Sequence, residues 1–69
     1  MDYSVRGYLG RQSTKTLETL LHLHLQDGLW EDYFYTIPII VEVLTQRGFS
    51  IPQQIYDRIA EIKKIQQDL

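Results

Sequence analysis

The strongest constraint in this sequence is a stripe of isoleucine in its last third. Ile51, Ile55, Ile59, Ile62 and Ile65, followed by Leu69, recur at steps of four, four, three, three and four. That spacing follows the period of an α-helix and puts all six side chains on one face. Gln53, Gln54, Asp57, Arg58, Glu61, Lys63, Lys64, Gln66 and Gln67 fall mostly on the other face. An amphipathic helix of this kind draws its stability from covering its apolar face, so the chain must fold around it or dock it on a partner. Pro52 suits the first helical position, where the missing N–H has no intrahelical acceptor to lose. Ile51 precedes the proline and is expected outside the helix. The pattern predicts a helix over residues 52–69.

Two further helices are legible upstream. Ser13 is a good N-cap, because its hydroxyl can accept from a free backbone N–H of the first turn. Leu17, Leu20 and Leu21 then share a face, which Leu23 and Leu25 widen, and Asp27-Gly28 supplies a stop. The predicted helix covers residues 13–27. Trp30, Phe34, Ile37, Val41 and Leu44 step by four, three, four and three, which predicts a second helix over residues 30–47. The run from Thr36 to Val43 is rich in β-branched residues, which favour strands. Pro38 counts against a central strand and costs a helix one hydrogen bond. The apolar face persists for longer than strands usually run, and this decides for a helix. A shorter helix beginning near Pro38, as a first-turn residue, is the alternative. Gly48 ends the segment, with Phe49 folding back onto Leu44 in a Schellman cap.

Residues 1–12 read as an extended arm, because Gly7 and Gly10 discourage a helix. Tyr3, Val5, Tyr8 and Leu9 give that arm apolar anchors. Short turns make successive helices antiparallel neighbours. The expected architecture is therefore all-α: one domain, a small three-helix up-down-up bundle over residues 13–69 with the arm in front of it.

Composition narrows the function. The chain has 69 residues and no cysteine, so neither a disulfide nor a thiolate metal site can staple it. Domains this short bury only about 60% of the surface their unfolded chains expose. A partner subunit is the remaining staple, although 43% apolar residues also allow a stable monomer. The longest apolar run, Ile37 to Val41, is far too short to span a bilayer, and the N-terminus lacks the apolar core of a signal peptide. A cytoplasmic protein with no membrane partner is expected.

The formal charge of −2 gives no support to a nucleic-acid binder. The charge is uneven, however. Arg6, Arg11 and Lys15 against Asp2 give the first fifteen residues a net +2, and the remainder carries −4. A basic arm in front of three helices is an arrangement used on DNA. Asp57, Glu61 and Asp68 on the last helix would repel phosphates, which makes nucleic acid the weaker reading.

No constellation of catalytic type stands out. His22 and His24 point to different sides of a helix and cannot share a metal; one is expected in solvent and one at the core edge. Glu31 and Asp32 open a helix, where negative charge stabilises the dipole. Glu42 is the only charged residue in the apolar stretch from Ile37 to Leu44 and needs solvent or a basic partner such as Arg11, Arg58 or Lys63. Neither catalytic residues nor a cofactor or metal are expected. The second helix is apolar around most of its circumference, more than two neighbours can cover, and the excess argues for a partner. The expected function is a non-enzymatic protein–protein interaction or accessory protein acting through apolar helix faces, as a homodimer or on another protein. Its proposed contacts are Tyr3, Tyr8, Trp30, Phe34, Ile39 and Val43. The alternatives are a nucleic-acid-binding regulator using Arg6, Arg11 and Lys15, and an antitoxin-like inhibitor with an acidic face.

Overall fold

The computed structural model describes residues 4–67, so Tyr3 and the end of the isoleucine stripe at Leu69 lie outside the described residues. Five helices follow in order: α1 (Val5–Gly10), α2 (Thr14–His24), α3 (Trp30–Tyr33), α4 (Thr36–Gln46) and α5 (Gln53–Gln67), with no strand among the described residues. The all-helical class agrees with the periodicity. Five helices replace the three expected.

The extended arm is the first correction. Ser4 caps α1 by accepting a hydrogen bond from the Gly7 amide at 3.0 Å. Leu9 is buried in the core and supplies the apolar anchor. Arg47, at the end of α4, donates to the Gly10 carbonyl at 2.9 Å and to the Thr14 hydroxyl at 3.2 Å. One guanidinium thus holds the end of α1 and the start of α2 against α4. These tertiary anchors outweigh the entropic cost of two glycines in one helix, roughly 0.5–1 kcal/mol each relative to alanine.

The break between α3 and α4 is the second correction. The predicted single helix over 30–47 divides at Phe34 and Tyr35, whose backbones nevertheless stay in the right-handed helical region. Pro38 cannot donate to the carbonyl four residues back, so α4 restarts at Thr36 and places the proline in its first turn, where no donor is lost. This is the shorter helix near Pro38. Thr36 reinforces the break, because its hydroxyl donates to the Tyr33 carbonyl at 2.7 Å.

Caps set the other boundaries. Ser13 accepts from the Thr16 amide at 3.1 Å and starts α2 as its sequence position predicts. At the end of α4, Gly48 takes φ 83°, while Phe49 N–H donates to Leu44 O and Gly48 N–H to Thr45 O, both at 3.0 Å. These are the two bonds of a Schellman cap. Gly28 also has positive φ, but α2 has already ended at His24. The glycine instead completes a turn in which Leu29 N–H donates to Gln26 O, and a left-handed residue before the donor is what a type II turn requires.

The core is built on α4, which packs against α1 and α2. Ile37, Ile40 and Leu44 are almost fully buried against Leu17 and Leu21 of α2, Leu9 of α1 and Trp30 of α3 in one cluster. From the isoleucine stripe, Ile51, Ile55 and Ile62 enter the same cluster and Ile59 packs against it. Ile65 is 40% exposed, because α5 runs on past the core. Arg58 ties α5 back to the end of α2: it donates to the Leu25 carbonyl at 3.1 Å and pairs with Asp27 at 2.6 Å and Glu61 at 2.9 Å. The molecule measures 38 × 25 × 16 Å. Helices pack about 8–10 Å apart, so its thin direction holds about two layers.

Candidate apolar groove between two helices

Two layers cannot enclose α4, and its uncovered side forms one wall of a groove. Phe34, Ile37, Pro38, Val41, Glu42 and Thr45 line that wall, and Tyr56, Ile59 and Lys63 of α5 line the other. The space between them is ≈ 490 Å³. The helical repeat explains both rows. Positions 34, 38, 41 and 45 follow each other at the spacing of one helix face, beside the face that carries Ile37, Ile40 and Leu44 into the core. Positions 56, 59 and 63 do the same beside Ile55 and Ile62. Each helix therefore has a buried stripe and, next to it, a partly exposed stripe that is apolar at Phe34, Pro38, Val41, Tyr56 and Ile59.

The polar residues stand on opposite walls. Glu42 receives Arg6 of α1 at 2.6 Å, with both side chains about half exposed. The partner is thus Arg6, and not Arg11, Arg58 or Lys63 as the sequence suggested. Gln46 also donates to Glu42, at 3.4 Å. Lys63 makes no ion pair among the described residues.

The contact residues expected from sequence are scattered by the fold. Phe34 lines the groove and is half-buried. Trp30 and Val43 are buried at 7% and 8% exposure and belong to the chain's own core, so as placed they offer no surface to a partner. Ile39 is half-buried against that core, and Tyr8 of α1 is 56% exposed. Neither of these two lines the groove. Sequence reasoning missed Tyr56, Ile59, Val41 and Pro38 as a group. The signal was available in the second apolar stripe of each helix, but which stripe faces inward is decided by packing.

Two of the three basic residues of the nucleic-acid reading have partners in the fold. Arg6 is held by Glu42, and Arg11 is not without a partner. Lys15 stands exposed beside Thr16, Thr19 and Leu20 over a shallow surface hollow. The three do not form a free basic arm.

A second polar cluster lies at the α2–α4 junction. His24 is buried, and its Nδ1 lies 3.0 Å from the Thr36 hydroxyl, whose single proton is given to the Tyr33 carbonyl. The histidine must then donate at Nδ1, which fixes its tautomer. Its ring stacks on Tyr33 with centroids 4.3 Å apart and planes 8° from parallel. Burial lowers the His24 pKa from its ordinary value, which favours the neutral ring. A hydroxyl that gives its proton away from the histidine is not being activated by it. The cluster is a junction fastening, and His22 stands in solvent as expected of one of the pair.

Among the described residues no group of three acidic, histidine or cysteine side chains could hold a metal, and no helix is long and apolar enough to cross a membrane. No protein-family model, no curated protein and no solved structure matches this chain.

Proposed function

We propose that this chain is a non-enzymatic interaction protein that seats an apolar protein segment in the α4–α5 groove. The supporting observation is the groove itself: a concave apolar strip with aromatic residues, Phe34 and Tyr56, at its walls. Aromatic side chains in such a position are the residues that most often anchor protein interfaces. The acid and the base on its walls suit the polar rim of an interface better than a reaction, since neither is buried. An up-down-up course of the three longer helices and a cytoplasmic setting belong to the same reading.

The test is site-directed photo-crosslinking. A photoreactive residue in place of Tyr56 is expected to give a discrete adduct in cells expressing the protein, with either a second copy or another chain. Val41→Glu, which puts a charge into the groove, is expected to abolish that adduct. No discrete adduct at position 56, or one that Val41→Glu leaves unchanged while helical content is retained, contradicts the proposal.

A further inference from the structure

We infer that α5 is a movable wall of the groove: it undocks from the body as one unit beyond Ile51, and Arg58 is the latch that holds it in place. This opening belongs to the free chain and holds whichever partner the groove takes. The two walls are unevenly anchored. Five of the eleven residues of α4 are buried: Thr36, Ile37, Ile40, Val43 and Leu44. Only Ile55 and Ile62 are buried among the fifteen residues of α5. Arg58 and Ile59 are half-buried, and the rest of that helix is exposed. Its row of Tyr56, Ile59 and Lys63 faces the open groove of ≈ 490 Å³.

Arg58 stands between the two buried isoleucines, at the three- and four-residue steps that keep all three on one face. Its Nε donates to the Leu25 carbonyl at 3.1 Å, and its two terminal nitrogens reach Asp27 and Glu61. Leu25 caps the end of α2, where carbonyls have no donor within the helix. The guanidinium thus fills an orphan acceptor at the negative end of the α2 dipole. Asp27 is 95% exposed, so its ion pair adds little and the carbonyl bond matters most. Among the described residues no other side chain of α5 makes a hydrogen bond or ion pair to another element. Two isoleucines and one arginine therefore carry most of the docking. The connection stays with the body, because Phe49 and Ile51 pack on the core, and the pivot falls at Pro52. A helix of fifteen residues is marginal alone in water, so undocking α5 also melts it, as one local unfolding unit. The groove then has one fixed wall, α4, and one that opens for an occupant broader than the closed gap.

The test is residue-resolved amide exchange of the whole chain, of Arg58→Ala and of Arg47→Ala. Exchange is read at positions 57–67 of α5 and 40–44 of α4, where each amide has an acceptor in its own helix. In wild-type protein the α5 amides are expected to share one opening equilibrium, with protection at least about tenfold below that of α4. The bonds of Arg47 to Gly10 and Thr14 stay made when α5 alone opens. Arg47→Ala is therefore expected to lower α4 protection about fivefold and to leave α5 protection unchanged. The latch is made only in the closed fold, so Arg58→Ala is expected to lower protection at least about fivefold in α5 and by the same factor in α4. Amides of α5 as protected as those of α4, and lowered with them by Arg47→Ala, would mean that α5 opens only with the whole molecule. Protection that falls steadily from position 57 to position 67 would mean a fraying end. Unchanged α5 protection in Arg58→Ala would remove the latch. Each of these three results overturns the inference. The measurement needs no partner, so its failure is distinct from the absence of a Tyr56 adduct.

Discussion

The Thr36 hydroxyl accepts from His24 and donates to the Tyr33 carbonyl, so one side chain fastens the end of α2 to the start of α4. Neither residue announces this in the sequence, because the two lie twelve positions apart and their meeting depends on how the helices turn. Arg47 and Arg58 are hidden for the same reason: their carbonyl and side-chain partners across the fold lie more than thirty positions upstream. What the sequence does show is that His24 sits on the leucine face of α2 while His22 does not. The lowered pKa of His24 has a consequence for stability. Below the ordinary histidine value the unfolded chain takes up a proton that the folded chain resists, so stability falls as pH drops through that range and is unaffected above it. Chemical denaturation from pH 8 to pH 5 is expected to show this loss in wild-type protein, with a shallower decline in His24→Gln. Equal slopes would remove His24 from the account. Arg47→Ala is expected to cost about 1 kcal/mol in the same assay, the usual scale for a lost hydrogen bond. Arg47→Lys should recover only part of it, since a point ammonium cannot reproduce the fork of a guanidinium. Full recovery in Arg47→Lys would show that charge alone matters there.

Helix starts and stops were the most legible elements. Ser13 and the Gly48-Phe49 pair carry chemistry that acts within a few residues, and both form the caps their positions predict. The first helix and the break before Thr36 were less so. α1 exists because Leu9, Arg6 and Arg47 have partners far along the chain, which outweigh the glycines. The break follows from Pro38, but the apolar period runs straight through it, and only the backbone shows that the helix restarts at Thr36. Two outcomes follow for these elements. Gly48→Ala is expected to cost about 1–2 kcal/mol, the penalty of a left-handed residue with a Cβ, because nothing lies close enough to the added atom to contribute a clash. Thermal or urea unfolding measures it, and a neutral substitution would contradict the cap. Pro38→Ala supplies an amide to a backbone that is already right-handed helical at Phe34 and Tyr35. Amide exchange is expected to show α3 and α4 merging, with stability unchanged or raised. A clear loss of stability would mean that the proline packs in a way its exposure does not suggest.

For the molecule as a whole, thinness is the governing property. With about two layers of helices, α4 can be covered by α1, α2 and α3 on one side but not enclosed, and the groove beside α5 is the result. The sequence indicated that the second helix carries more apolar surface than its neighbours can bury. It did not indicate which residues remain, because Trp30 and Val43 are drawn inward while Val41 and Tyr56 are left at the edge. The account stands on that remaining strip being used for association, and the most direct measurement is sedimentation equilibrium across a concentration series, with Tyr56→Ala in parallel. Tyr56 is 38% exposed, so removing its ring leaves the core intact. The account predicts a reversible dimer for the wild-type chain and a marked weakening, about 2 kcal/mol or more for a true aromatic anchor, in Tyr56→Ala. Monomers of both proteins at every concentration with no Tyr56 adduct to another protein, or a dimer equally tight in both, would contradict it.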